Sequence, residues 1–140
     1  MRLVTHMVFS SAVAMWLVPI AYAPYTLMAS VLTTVFIDMI GHTRNHGVIR
    51  RTWVTHDWLL SALTTVVPLS IVYALMFPVP IINLLIINEA TLITHLMLDA
   101  ITGHTFLLTR RLSGGGIEWG NPWANAAFIV LGLLLIVLRL

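Results

Sequence analysis

The sequence predicts an all-α fold: a polytopic integral membrane helical bundle with about five transmembrane helices and a cytoplasmic N-terminus. Three observations carry this. Of the 140 residues, 59% are hydrophobic and only 9% charged, against about 25% charged in a soluble domain, and the mean hydropathy is +0.98. Apolar runs recur at lengths near the roughly 20 residues needed to cross a bilayer. The arginines are also spread unevenly between the connections. By length the chain is one domain, residues 1–140.

Five spans can be drawn: residues 6–21, 25–41, 57–77, 81–101 and 123–138. The first follows Arg2 and ends near Ala21-Tyr22-Ala23, a pattern also seen at signal-peptide cleavage sites. Pro24 directly after it disfavours cleavage, so the segment reads as a retained span. Pro19 and Pro24 bracket a tight turn into the second span, and Pro78-Val79-Pro80 does the same between the third and fourth. Proline fixes φ and lacks an N–H, so both are firm helix breaks. Pro68, inside the third span, predicts a kink. The connections over residues 42–56 and 103–122 are longer and polar, and the second carries the Ser113-Gly114-Gly115-Gly116 run, which reads as flexible.

Arg2, Arg44, Arg50, Arg51, Arg110 and Arg111 fall on the N-terminal side of this layout, and only Arg139 on the other. The positive-inside rule then places the N-terminus in the cytoplasm, in a multi-pass protein of the cytoplasmic (inner) membrane. Trp53, Trp58, Trp119 and Trp123 gather on the same side, as an interfacial belt would. So do all six histidines and all three aspartates, with Asp57 placed to cap the third span.

Two helix ends carry mirrored acid/histidine pairs, Asp38-Met-Ile-Gly-His42 and His95-Leu-Met-Leu-Asp99. A spacing of i, i+4 puts each pair on one helix face. Ionisable groups in apolar segments are costly and usually line a functional interior. Asn88 extends the His95–Asp99 stripe, while Glu89 lies about 100° away and reads as a carboxylic acid bonded to a neighbouring helix, or as part of a proton path. There is no cysteine, which excludes disulfides, thiolate zinc and cysteine nucleophiles. Imidazole with carboxylate suits Zn²⁺, with Mn²⁺ or Fe²⁺ as alternatives. His6, Asp38, His42, His56, His95 and Asp99 are the expected metal ligands, and His46 and His104 are further candidates. Haem would leave the carboxylates unexplained, and the His-x-x-His-His boxes of membrane di-iron oxidases are absent. A net charge of +2, dispersed over the chain, gives no nucleic-acid footprint.

These motifs resemble the YdjM-like family of membrane-bound metal-dependent hydrolases, itself distantly similar to zinc-dependent phospholipases C and nucleases. The resemblance rests on Thr5-His6, on Asp38 with His42, on Thr55-His56, and most specifically on His95-Leu96-Met97-Leu98-Asp99-Ala100-Ile101-Thr102. It covers roughly residues 1–110. The second motif has one Asp fewer than the family pattern, and Arg51 stands where the family has a first His, so one ion and two remain open. The resemblance implies a hydrolase acting at the cytoplasmic interface on a phosphoester or lipid-like substrate, with membrane lipids as partners. Arg50 and Arg51 are candidates for holding an anionic group, or serve as topology determinants. The competing readings are a non-enzymatic protein with a structural metal site, and a small metal or proton transporter.

Overall fold

The computed structural model describes the chain except residues 46, 47, 109 and 119, and except the side chains of residues 43–50, 104 and 113. Helix α1, Leu3–Leu17, leads through Pro19 and a single 3-10 turn, Ile20–Tyr22, into α2, Ala23–Gly41. Strands β1, His42–Asn45, and β2, Val48–Arg51, follow, and then a one-turn helix α3, Trp53–His56. A π-helical segment, Ala62–Val66, runs into α4, Val67–Met76. After the Pro78–Pro80 break comes α5, Ile81–Thr102, then β3, His104–Leu107, β4, Arg110–Ser113, and α6, Pro122–Arg139.

Among the described residues, three stretches are long and apolar enough to cross a membrane: Ile20–Gly41, Ile81–Thr102 and Pro122–Arg139. Leu3–Leu17 and Ala62–Met76 are apolar but shorter. At 1.5 Å per residue, 15 residues reach only about 22 Å of a roughly 30 Å hydrocarbon core. The first drawn span therefore shifts towards the N-terminus and ends at Leu17. The third begins later than drawn, because residues 57–59 form a turn. Asp57 Oδ1 accepts the backbone N–H groups of Leu59 and Leu60, both at 3.0 Å, and so caps the turn that starts this helix. Pro68 lies in the first turn of α4. It cannot donate to the carbonyl four residues earlier, and the wider π turn directly before it accommodates that break.

The two longer polar connections contain antiparallel hairpins. His42 pairs with Arg51 and Asn45 with Val48; His104 pairs with Ser113 and Leu107 with Arg110. Both hairpins follow a helix, both open on Gly-His-Thr (residues 41–43 and 103–105), and in both the first residue pairs with the ninth after it. The glycine run after the second hairpin is tied down rather than loose. Gly114 N–H donates to Gly103 O at 2.8 Å and Gly116 N–H to Ile101 O at 3.3 Å, which satisfies carbonyls at the end of α5. A side chain at Gly114 would collide with the Ala100 carbonyl, and Gly115 has φ +106°.

Inside the bundle the helices are joined by hydroxyl and amide bonds in successive layers. Thr94 donates to Ser10 Oγ, Thr91 to Ser30 Oγ, and Thr33 to Asn88 Oδ1, each at 2.8 Å, while Asn88 Nδ2 donates to Ser70 Oγ at 2.8 Å. In a bilayer such bonds and close small-residue packing hold helices together, because lipid tails are as apolar as the core. Apolar residues fill the space between: Ala14, Ala29, Leu84 and Ile87 in one cluster, and Ile37, Val66, Leu92 and Leu96 in another. Helix α6 runs beside α1 in the same direction. Asn125 Oδ1 accepts from Thr5 Oγ1 at 2.6 Å at one end, and Arg139 donates to Met15 O and Val18 O at 3.0 and 2.9 Å at the other. Asp99, Asp38 and the hairpins all lie at the end of the bundle where α1 begins.

Candidate metal centre

Four elements meet at that end. The first turns of α1 carry His6, the last turns of α2 carry Asp38 and lead to His42, α3 carries His56, and α5 carries His95 and Asp99. All six expected ligands are brought together. His6, His56, His95 and Asp99 are buried, and Asp38 and His42 are half-buried towards the outside.

Asp99 is the hub. Its Oδ1 lies 3.4 Å from His6 Nε2 and accepts from Arg51 Nη2 at 2.7 Å. Its Oδ2 lies 3.1 Å from His56 Nε2 and 3.6 Å from His95 Nε2. Asp38 Oδ1 stands 3.4 Å from both His95 Nε2 and His42 Nδ1. The imidazoles also contact one another: His6 stacks on His95 with centroids 4.1 Å apart, and His56 meets His42 and His95 at 4.9 and 5.6 Å. Two ligand-sized triads result, His6–His95–Asp99 and Asp38–His42–His56, each with ligand atoms within 4.8 Å of one another.

Several atoms of this cluster make no well-aligned hydrogen bond. His56 Nε2, both ring nitrogens of His95, His6 Nδ1 and Asp99 Oδ2 are buried without a hydrogen-bond partner, although some lie little more than 3 Å apart. Buried polar atoms are nearly always paired, so a cluster of orphans calls for a missing partner. Ligand atoms held about 2.0–2.1 Å from a tetrahedral ion lie about 3.3 Å from each other. The observed range of 3.1 to 3.6 Å fits such a polyhedron edge. The donor set of nitrogen and carboxylate oxygen is also that of Zn²⁺ and similar ions.

Burial draws the His56 imidazole below its ordinary pKa, with Asp99 opposing the shift. Burial does the same to His42, helped by His56 and opposed by Asp38. Both are therefore neutral at pH 7, the form that binds metal.

The local sequence explains how His56 comes so close. The chain turns back on the end of α2, where Thr52 N–H donates to Gly41 O at 2.7 Å. A side chain at Gly41 would collide with Thr55 and with the His56 ring. Thr55 Oγ1 lies 2.9 Å from His56 Nδ1 and 3.4 Å from Ile37 O. The second hairpin buttresses the same segment: Trp58 N–H donates to Phe106 O and Trp58 Nε1 to Thr105 Oγ1, both at 2.9 Å.

Arg51 was a candidate for anion binding. Here its guanidinium donates to Asp99 Oδ1 and, at 3.3 Å, to Asp99 O. The side chains of Arg50 and His104 lie outside the described residues, as does His46 altogether. Glu89 takes no part in the centre. Among the described residues it bonds to no neighbouring helix, and it lines an apolar groove of about 440 Å³ with Leu17, Leu63, Val66 and Ile93. Gly41 and Thr55 were not picked out from sequence for their roles here. The signal in the sequence was that Thr55 directly precedes a ligand candidate, as part of the Thr55-His56 motif. No protein-family model, curated protein or solved structure matches the chain.

Proposed function

We propose that the chain is a membrane-embedded metal-dependent hydrolase of five apolar helices, acting on a phosphoester or lipid-like ester at the cytoplasmic face. The observation that carries this reading is the convergence of six His and Asp side chains, with buried atoms of His6, His56, His95 and Asp99 among them that lack a hydrogen-bond partner. His6, His95 and Asp99 would hold one divalent ion and Asp38, His42 and His56 a second, with zinc the best fit to the donor set.

A bound divalent ion supplies Lewis acidity and lowers the pKa of a water it holds to about 7. The residues supply the rest. Asp38 is 19% exposed against 2% for Asp99, so of the two carboxylates it is the one an incoming substrate can reach. Asp99, gripped by Arg51, is held in place. His42, beside Asp38 on the open side, would share that second ion with it. A site at a helix end, at the level of the bilayer surface, suits an ester carried by a lipid.

A second reading has its own support. The ligands come from four elements, so an ion here would also staple α1, α2, α3 and α5 together. The discriminating experiment measures bound metal in detergent-purified protein and in a His95→Ala/Asp99→Ala variant, followed by phosphodiesterase assays before and after chelation. Stoichiometric metal lost from the variant, with folding retained but hydrolysis lost on chelation, supports the enzyme. Unfolding on chelation supports the staple. Absence of metal from wild type prepared without chelators defeats both. The proposed orientation is tested by a reporter fused at Gly115, which should report the cytoplasm.

A further inference from the structure

One imidazole of the cluster has its proton position set by protein groups alone. His56 Nδ1 is 2.9 Å from Thr55 Oγ1, and the same oxygen is 3.4 Å from Ile37 O. All three groups are buried, with Thr55, His56 and Ile37 at 0% exposure, so no water competes for these bonds. A hydroxyl has one proton to give, whereas a carbonyl oxygen only accepts. Both contacts can be bonds at once in one arrangement only. Thr55 O–H donates to the Ile37 carbonyl, and His56 Nδ1–H donates to Thr55 Oγ1. A neutral imidazole protonated on Nδ1 has a bare lone pair on Nε2. That lone pair faces Asp99 Oδ2 at 3.1 Å, another acceptor, and neither atom has a hydrogen-bond partner. Two acceptors facing each other in a buried site need a cation between or beside them.

We infer that Thr55 is a positioning residue for the proposed metal centre. It fixes the Nδ1–H tautomer and the ring plane of His56 by relaying the Ile37 carbonyl, and so presents Nε2 as a ligand. The inference rests on the metal-centre reading for its functional meaning, but the tautomer it assigns does not. Gly41 completes the device, since any side chain there would strike both Thr55 and the His56 ring. The partner that orients a metal-bound histidine usually changes affinity about 10–100-fold when removed. Here that partner is a threonine hydroxyl backed by a main-chain carbonyl, and it adds no charge of its own to the site.

The test uses the full chain in detergent, with Thr55→Val and Thr55→Ser. Thr55→Val keeps the branched shape and removes the hydroxyl, and Thr55→Ser keeps the hydroxyl. Zinc affinity is measured by competition with a chromophoric chelator. Thr55→Val should bind zinc about 10–100-fold more weakly, and Thr55→Ser should keep the wild-type affinity. The nitrogen chemical shifts of ¹⁵N-histidine-labelled wild type, with His56 assigned from a His56→Gln spectrum, should show His56 protonated on Nδ1, with and without zinc. Wild-type affinity in Thr55→Val, or His56 protonated on Nε2 in the metal-free protein, overturns the inference. If Thr55→Val fails to fold, the wild-type tautomer decides. If wild type binds no zinc, the metal-centre reading falls, while the metal-free tautomer still tests the role of Thr55.

Discussion

Gly41→Ala sets two effects of known sign against each other. Gly41 closes α2 and does not have a positive φ, so backbone conformation alone does not require glycine there. Alanine is about 0.8–1.0 kcal/mol better than glycine in a helix interior, and on that ground the substitution should stabilise the protein. The space says otherwise. A Cβ would collide with Thr55 Oγ1 and His56 Cε1 and come within 2.6 Å of His56 Nδ1. Ordinary contact is about 3.5–4.0 Å, so α3 would have to retreat by an ångström or more. Overpacking of this kind costs about 1–3 kcal/mol, leaving a net loss of roughly 0–2 kcal/mol after the helical gain. The displacement acts more sharply on the ligand. His56 Nε2 would leave its 3.1 Å station beside Asp99 Oδ2, and zinc affinity should fall by at least about 10-fold, equivalent to about 1.4 kcal/mol. The assay is chelator competition together with unfolding in mixed micelles, with Gly116→Ala as control because a Cβ there meets nothing within 4 Å. A Gly41→Ala protein that is more stable than wild type and binds zinc equally well would refute the reasoning, since helix propensity alone would then govern the position.

Acid should weaken both fold and metal binding. His42 and His56 have folded pKa values below the ordinary 6.5, so between those values and 6.5 the unfolded chain binds more protons than the native one. Stability is then full above about pH 6.5 and lost as pH falls below it, which thermal melts of metal-free protein from pH 8 to 5 would show; a flat profile contradicts it. Arg51→Met removes the 2.7 Å partner of buried Asp99. The loss should be about 1–3 kcal/mol, below the 3–5 of a fully buried pair because Arg51 is partly exposed. Zinc should restore part of it by replacing the lost cation, as read from unfolding with and without the ion. Asn88→Leu breaks the bonds to Thr33 and Ser70. At about 0.6 and at most about 1.7 kcal/mol each, it should cost about 1–3 kcal/mol while leaving zinc content unchanged.

The helices were legible because their signals are local. Pro19, Pro24, Pro78 and Pro80 break the chain wherever they stand, and apolar runs between them need no partner to be recognised. Asp38, His42, His95 and Asp99 were legible as candidates because charge in an apolar helix is conspicuous, and the arginine pattern placed them at one end with His6 and His56. The hairpins were not legible. Residues 42–45 and 104–107 have no strict alternation, and what makes them strands is pairing with residues three to nine positions away and, in the second hairpin, anchoring at Phe106 against Trp58. The length of the third helix was overestimated for a related reason. Residues 57–59 were drawn as span, yet the Asp57 carboxylate caps a turn there and the helix begins after it. The role of Arg51 lay beyond any local pattern, because its partner Asp99 is 48 residues away.

The two helix–Gly-His-Thr–hairpin units put a different residue opposite each leading histidine. In the first unit the ninth residue is Arg51, in the second Ser113. Arg51 does not serve the carboxylate of its own helix; it crosses to Asp99, which belongs to the other unit. Asp38 likewise stands against His95 of the other helix. Each carboxylate therefore touches the other unit as well as the histidine of its own. A half-molecule holding the second unit alone would leave buried Asp99 without the arginine that faces it, so the two units must dock before that end of the bundle can settle.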